Sequence, residues 1–322
     1  MTDQRAPEGR LPDFFIVGQL KSGTTALFEM LRVHPQIYMP PRKEPRFFAT
    51  EMYERDAPRP GGTPKTLDEY RLWFADAEPQ QRIGEASAVY LWSHAAASGI
   101  ARVRPDARIV AIFREPASML RSLHLELVQI HVETETEFGA ALSLEDSRRN
   151  GKDIPEHTYW PPLLLYSDHV RYAEQLRRYL AVFPPEQLLV LIYEDFRRDN
   201  ESAVRTILRF LDVDDSLPLR TWDANPSVQV RSPRAHELLH TVGVGRGPVS
   251  RTVKETIKAV TPQRMRHALW KEAQRRFVFA RPEPPDEELM HDLRVRSKPE
   301  VVALSELLDR DLVAFWGYDR IA

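Results

Sequence analysis

The segment 21–25, Lys-Ser-Gly-Thr-Thr, combines one cation, one glycine and three hydroxyl groups within five residues. It follows an apolar run at 14–18 that is typical of a buried parallel strand, and it precedes a helical pattern of apolar residues. Backbone N–H groups and a helix N-terminus bind phosphate in this setting, and a lysine adds a mobile positive charge. The residues that we predict to bind a phosphate are Lys21, Ser22, Gly23, Thr24 and Thr25.

A second apolar run at 108–113 ends in Arg114, and Pro116, a favoured first helical residue, then opens a helix. Ser122 would lie about 9 Å along that helix from Pro116, at ~1.5 Å per residue. An extended guanidinium largely covers this distance, so we predict that Arg114 and Ser122 bind one phosphate together. Two phosphate sites at adjacent strand ends indicate a nucleotide that is phosphorylated at two positions.

Two other interpretations of the loop stay open. A P-loop nucleotide kinase would carry its lysine after the loop glycine and would need an acidic residue at a strand end to hold Mg²⁺. Here Lys21 precedes Gly23, and the comparable strand ends in Arg114, so we predict no metal. A non-catalytic nucleotide-binding protein is the third possibility.

Strands and helices alternate along the chain, with a third strand predicted at 188–193 and a long helix at 166–183. This alternation predicts an α/β fold with a P-loop-like parallel sheet flanked by helices on both faces, and with ligands at the carboxyl ends of the strands. A further helix is expected at 287–312, interrupted at Pro299. We expect one domain, 1–322, with a cofactor-binding core at 12–213 and a mainly helical C-terminal part at 214–322.

The composition excludes several classes of protein. The 322 residues carry a net charge of −2, so no general cationic field is present to bind nucleic acid. Cysteine is absent, which removes disulfides, thiolate metal sites and a cysteine nucleophile. Neither a signal-like N-terminus nor a long apolar stretch occurs, so we expect a soluble cytoplasmic protein, and abundant Arg, Ala and Pro suggest a bacterial source.

The two phosphate motifs, taken in order and in matching context, resemble those of sulfotransferases that use 3′-phosphoadenosine 5′-phosphosulfate (PAPS). Four further segments are similar to the heparan-sulfate-type branch of that family and its bacterial relatives. These segments are Thr24-Thr25-Ala26-Leu27 with His34-Pro35, Lys43-Glu44-Pro45-Arg46-Phe47-Phe48, Gly84-Glu85-Ala86-Ser87-Ala88-Val89-Tyr90, and the stretch 304–312.

The resemblance implies the sulfotransferase fold and transfer of a sulfuryl group from PAPS to an acceptor hydroxyl, or less readily an amine, leaving adenosine 3′,5′-bisphosphate. No metal is implied. Lys21 would contact the 5′-phosphate and the bridging oxygen, and 22–25 would supply further donors. Arg114 and Ser122 would bind the 3′-phosphate, and Glu44 would be the general base that activates the acceptor. The acceptor could be a small molecule, a carbohydrate or a lipid.

The sequence departs from the family pattern at three places. Leu20 replaces the usual proline before the loop lysine, which leaves the backbone donors in place. Ala86 stands where Golgi members carry a second lysine, so a second lysine near the sulfate is in doubt. A Lys/Gly-rich loop near the C-terminus is also missing, and Arg231, with Arg234, is the nearest basic candidate to cover the nucleotide.

The segment 246–281 contains ten Lys or Arg residues against two glutamates. A surface helix, a cover over the anionic cofactor or acceptor, and a weak contact with an anionic membrane surface all fit this composition.

Overall fold

The computed structural model describes residues 9–52, 62–156, 158–219 and 282–321, together with the backbone of 229–230 and 279–280. A five-stranded parallel sheet with the order β2-β3-β1-β4-β5 forms its centre. The strands are β1 (Phe14–Gly18), β2 (Ile37–Tyr38), β3 (Arg82–Ala86), β4 (Arg108–Phe113) and β5 (Leu188–Ile192). The strands predicted at 14–18 and 108–113 are confirmed residue for residue, and the third ends one residue earlier than predicted.

β1 lies in the middle of the sheet, where Phe15 pairs with Glu85 on β3 and with Ile109 on β4. Every residue of β1 is buried, as expected of a parallel strand that is covered on both faces. The carboxyl ends of β1, β3 and β4 therefore meet at one edge of the sheet, the edge at which α/β proteins bind ligands.

Twelve α-helices lie within the described residues. They are α1 (Thr24–Arg32), α2 (Leu67–Leu72), α3 (Ala96–Val103), α4 (Pro116–Gln129), α5 (Phe138–Ser143), α6 (Glu145–Arg149), α7 (Tyr166–His169), α8 (Tyr172–Leu180), α9 (Tyr193–Arg198), α10 (Asn200–Phe210), α11 (Glu287–Leu308) and α12 (Leu312–Phe315). Within this part of the chain, none has both the length and the apolar character needed to cross a bilayer.

Helices cover both faces of the sheet. On one face, Phe14 and Ile16 of β1 pack with buried side chains of α1 and α10. On the other face, the ring of Phe113 on β4 lies 4.8 Å from that of Tyr172 on α8, centroid to centroid. The predicted α/β architecture, with its helical C-terminal segment, is therefore confirmed.

The single long helix expected at 166–183 is wrong, because α7 ends at His169 and α8 begins at Tyr172. The carbonyl group of His169 does not continue a helical ladder. It accepts instead from the side-chain amides of Gln19, at 2.6 Å, and Gln175, at 3.2 Å. The break thus lets α7 contact the residue that directly follows β1.

The interruption expected at Pro299 is also absent, because α11 continues through this residue. A proline deprives the carbonyl four residues earlier, on Val295, of its helical donor. Val295 is 41% exposed, so water can replace that donor at low cost. The exposed position of this turn explains why the proline is tolerated.

The chain divides into two compact units. The first holds the sheet and consists of Met1–Leu120, Tyr166–Asn225 and Met290–Ala322. The second consists of Arg121–Leu165 and Pro226–Leu289 and contains a buried ion pair, in which Arg148 donates to both carboxylate oxygens of Glu133 at 2.6 and 2.8 Å. Its antiparallel ribbon joins β6 (Gln229–Val230) to β7 (Phe279–Ala280). The expected single domain stays a prediction.

Candidate active site

The segment between β1 and α1 has the backbone of an anion-binding loop. Lys21 and Gly23 both adopt positive φ angles, of 56° and 89°, so the chain turns sharply before α1. A Cβ atom on Gly23 would approach the rings of Phe196 and Tyr193 to 3.1 and 3.2 Å, which explains the glycine. The positive φ of Lys21, a residue with a Cβ atom, is backbone strain of the kind that collects at functional sites.

The N-terminus of α1 is prepared for a negatively charged group. Within the described residues no side chain caps this helix, and its first turn holds no acidic residue. The uncapped N–H groups and the positive end of the helix dipole therefore favour an anion. Ser22 is fully buried, and its hydroxyl donates to the carbonyl of Leu20 at 3.1 Å. The hydroxyl is thus already engaged, and the backbone N–H is the donor through which Ser22 could fill its predicted role.

Arg114, at the end of β4, lies beside this loop. Its Nη1 donates to the carbonyl of Lys21 at 2.9 Å, and its guanidinium stacks over Tyr193 at 4.8 Å from the ring centre. The backbone carbonyl of Arg114 accepts from the hydroxyl of Tyr172 at 3.0 Å. Its Nε is buried and makes no hydrogen bond within the part of the chain that the structure describes. A buried donor of this kind costs free energy until an acceptor reaches it.

Glu44 follows β2 and is placed between two cations. Its Oε2 accepts from Nε of Arg46 at 3.1 Å, and its Oε1 lies 3.7 Å from Nζ of Lys43. The carboxylate remains 18% exposed. Lys43 in turn contacts the hydroxyls of Thr24 and Thr25 in the first turn of α1. The structure therefore brings the predicted base to the predicted phosphate loop through Lys43.

A second carboxylate, Glu85 on β3, lies behind the segment that carries Glu44, and the sequence interpretation did not give it a role. Its Oε2 accepts from the hydroxyls of Tyr70 and Tyr90 at 2.8 and 2.9 Å, and the side chain is fully buried. Burial raises the pKa of Glu85 from 4.5 to about 7. Hydrogen bonds from Ser87 and the two tyrosines lower the pKa in part, and the charge of Glu44 raises it. The sequence signal that could have revealed this residue is a glutamate within β3, a strand in which every residue except Arg82 is buried.

Two hydrogen bonds join this buried cluster to the segment that carries Glu44. The backbone N–H of Arg46 donates to Oγ of Ser87 at 3.0 Å. The backbone N–H of Phe48 donates to the hydroxyl of Tyr90 at 3.2 Å, so this hydroxyl accepts from Phe48 while it donates to Glu85. A chain of hydrogen bonds thus runs from Glu85 through Tyr90 to the backbone of the segment that carries Glu44.

The C-terminal residues anchor the strand ends on the other side of the loop. The hydroxyl of Tyr318 donates to Oε1 of Glu115 at 2.7 Å, and Nε1 of Trp316 donates to Oε2 of Glu194 at 2.9 Å. Oε1 of Glu194 accepts from the backbone N–H of Glu115 at 3.2 Å. Glu194 therefore structures the end of the sheet, and Trp316 and Tyr318 are contributors that sequence interpretation missed.

The other predicted site residues lie elsewhere in the chain. Ser122 belongs to the second unit, on α4, and is buried. Arg231, Arg234 and nearly all of the basic segment 246–281 lie outside the described residues. The site that the first unit assembles therefore comprises the phosphate loop, Arg114, Lys43 and Glu44, and the roles assigned to these residues stay predictions.

A parallel sheet with helices on both faces, an uncapped helix N-terminus after β1 and an arginine at the end of β4 are the features that the sequence led us to expect of the sulfotransferase fold. The model of the sulfotransferase family matches residues 12–216. The match covers most of the chain, and the protein belongs to this family.

A sulfotransferase from Alicyclobacillus acidocaldarius is a similar solved structure, with a TM-score of 0.66 and 27% identity. The alignment covers 95% of this chain and 98% of that one. The mouse bifunctional heparan sulfate N-deacetylase/N-sulfotransferase 4 is 27% identical over 63% of this chain and 22% of its own length. Human carbohydrate sulfotransferase 15 is 25% identical over 63% of this chain and 44% of its own length. The chain thus spans less than half the length of these curated relatives.

Proposed function

We propose that this sulfotransferase moves a sulfuryl group from PAPS to a hydroxyl group, or less readily an amine, and releases adenosine 3′,5′-bisphosphate. The observation that carries the proposal is Arg114 at the end of β4. Its Nη1 is held by the carbonyl of Lys21, while its buried Nε has no acceptor within the described residues. One arginine beside the phosphate loop suits a nucleotide that carries a second phosphate, at its 3′ position.

The residues of the first unit fit the 5′ end of the same nucleotide. The uncapped N-terminus of α1 provides N–H donors, and Lys21 is the loop cation. When bound, PAPS supplies a sulfuryl group whose bond to the bridging phosphate oxygen breaks during transfer. Lys21 and the loop amides would stabilise the negative charge that develops on that oxygen. Lys21 accelerates transfer to the extent that it stabilises this developing charge more strongly than the charge already present in the ground state.

Glu44 would act on the acceptor. Its carboxylate takes the proton of the acceptor hydroxyl as the new oxygen–sulfur bond forms, because a protonated hydroxyl is a poor nucleophile. Arg46 and Lys43, on either side of Glu44, hold the carboxylate in one orientation. Atoms and charge balance, since the sulfuryl group leaves the nucleotide and the proton remains on Glu44 until solvent removes it.

We infer the chemical class of the acceptor from the relatives of this chain. The similar proteins include a bifunctional heparan sulfate N-deacetylase/N-sulfotransferase and a carbohydrate sulfotransferase. We therefore favour a carbohydrate acceptor, with a small molecule or a lipid as the alternatives. The lack of cysteine supports a reducing, cytoplasmic compartment. Ser122 and Arg231 remain our candidates for the 3′-phosphate and for the cover of the nucleotide.

Calorimetric titration without metal tests the nucleotide. Adenosine 3′,5′-bisphosphate should bind about ten-fold or more tightly than 5′-AMP, since a charge-assisted contact to the 3′-phosphate contributes at least ~1.4 kcal/mol. Arg114→Ala should remove this preference. The matched control is Arg102→Ala, which removes an exposed arginine from the last turn of α3 and should change nothing. Preference for ATP with Mg²⁺, or indifference to the 3′-phosphate, would replace the proposal with the nucleotide-kinase alternative.

A further inference from the structure

Lys43 is a second lysine at the phosphate loop, and it comes from the segment after β2 rather than from the loop itself. Its Nζ lies 3.2 Å from Oγ1 of Thr24 and 3.1 Å from Oγ1 of Thr25. The side chain is 15% exposed. Residues from two separate parts of the chain therefore meet at the first turn of α1.

The direction of these hydrogen bonds has a chemical consequence. An ammonium group has three donors and no acceptor, so both threonine oxygens must accept from Lys43. Within the described residues, Lys43 is the hydrogen-bond partner that the structure gives to each of the two hydroxyls. The hydrogen atom of each hydroxyl is consequently available to an acceptor such as a phosphate or sulfate oxygen. Donation from a charged group also polarises the hydroxyl and strengthens it as a donor.

Lys43 places a positive charge at the N-terminus of α1, where a negative charge is usually preferred. The N-terminus of α1 is the positive end of the helix dipole, where a cation is unfavourable and an anion is favourable. The first turn of α1 contains no acidic residue that would offset this charge. Oε1 of Glu44 lies 3.7 Å from Nζ and balances part of this charge. A lysine in this position becomes favourable when an anion occupies the loop.

We propose that Lys43 is a further anion-binding residue of this enzyme, which orients the hydroxyls of Thr24 and Thr25 toward the 5′ end of the nucleotide. This inference rests on the proposed function and deepens it. Lys43 supplies positive charge at the 5′-phosphosulfate, and it keeps Glu44 close to the reacting group.

The test compares ligands that differ in one phosphate. Calorimetry would measure the affinities of adenosine 3′,5′-bisphosphate, 5′-AMP and 3′-AMP for the wild type and for Lys43→Met. We expect about a ten-fold or greater loss for the two ligands with a 5′-phosphate, and a change of less than about two-fold for 3′-AMP. Arg42→Met is the matched control, since Arg42 precedes Lys43, is exposed, and stacks near Trp73. It should leave all three affinities unchanged.

A double-mutant cycle checks the path through the threonines. The affinity losses caused by Lys43→Met and by Thr25→Val should be less than multiplicative when the two changes are combined, because each change removes the same hydrogen bond between Lys43 and Thr25. Lys43→Gln provides a second neutral variant, and thermal unfolding of each variant shows whether the fold is kept. Lys43→Arg, which keeps the charge, should retain most of the affinity for 5′-AMP.

The outcomes separate this inference from the proposed function. If the wild type ignores the 3′-phosphate, the proposed function fails. If the wild type requires both phosphates while both neutral folded variants of Lys43 bind 5′-AMP normally, the inference alone fails. An equal loss for 3′-AMP and 5′-AMP would also overturn it, because Lys43 would then affect the fold rather than the 5′ end.

Discussion

Glu44 and Glu85 are two glutamates of one unit in opposite surroundings. Glu44 is partly exposed and lies between the cations Lys43 and Arg46. Glu85 is fully buried, receives hydrogen bonds from two tyrosine hydroxyls, and has a pKa raised to about 7 by its burial. The first carboxylate lies between cations and is open to solvent, whereas burial raises the pKa of the second and favours its neutral acid. The same side chain thus belongs to a partly exposed ion pair in one place and to a buried hydrogen-bond cluster in the other.

This difference between Glu44 and Glu85 shows that a strongly shifted pKa does not by itself identify a general base. A group with a raised pKa in a cleft is a reasonable candidate for catalysis. Glu85, however, is closed off, and its hydrogen bonds lead through Tyr90 to the backbone of Phe48. Glu44 is open to an acceptor and Glu85 is not, and on this ground we predict that Glu44 is the base.

Replacement of Glu44 should give the largest effect. Glu44→Gln keeps the shape and an acceptor oxygen but cannot take a proton, so turnover should fall about 10²–10⁴-fold. Binding of adenosine 3′,5′-bisphosphate should persist. The measurement is release of this product from labelled PAPS in the presence of carbohydrate, lipid and phenolic acceptors. Glu51→Gln, outside the site, is the control. If the Glu44 variant keeps its turnover, Glu44 is not the base.

Glu85→Gln should change the dependence of stability on pH. Glu85 is protonated in both folded and unfolded chains below about pH 4.5, and its raised folded pKa of about 7 means that stability falls as the pH rises between these values. The full cost, roughly 3 kcal/mol, then persists above pH 7. The variant lacks this titration, so its stability relative to the wild type should rise from pH 5 to pH 8.

Urea unfolding at several pH values measures this slope. Any loss from the altered hydrogen bonds is independent of pH and shifts the whole curve without tilting it. Glu69→Gln, at an exposed site on α2, is a suitable control that should leave the slope intact. Parallel curves for the Glu85 variant and the wild type would show that Glu85 titrates as an ordinary glutamate.

Local sequence patterns were sufficient to predict the strands and the loop that carry the predicted site. The apolar runs of β1 and β4, the hydroxyl-rich loop and Pro116 each act over a few residues, so their positions follow from composition and spacing. Arg114 was predicted to bind a second phosphate at the end of an adjacent strand. The structure places Arg114 at that strand end and hydrogen-bonds it to the carbonyl of Lys21, while its role in binding phosphate stays a prediction.

Contacts between distant parts of the chain could not be predicted in the same way. β2 has only two residues, too few for a periodic pattern. The contact of Lys43 with Thr24, and that of Trp316 with Glu194, join segments that the sequence does not pair. The break at 170–171 depends on Gln19, about 150 residues away. Each of these features is decided by tertiary packing, which overrides local propensity.

Tyr90→Phe should give the smallest effect and most directly tests the link between the two glutamates. The hydroxyl of Tyr90 donates to Glu85 and accepts from the backbone N–H of Phe48. The hydroxyl of Tyr70 also donates to Glu85, but it makes no bond to the backbone of Phe48. Each Tyr→Phe change should cost roughly 1–2 kcal/mol for the buried donor that it removes, and Tyr90→Phe should cost more, because it also leaves the backbone N–H of Phe48 without its acceptor. Only Tyr90→Phe should also lower turnover, by about three- to ten-fold, since it alone frees the segment that carries Glu44. Equal turnover in the two variants would mean that Glu85 stabilises the fold without positioning the base.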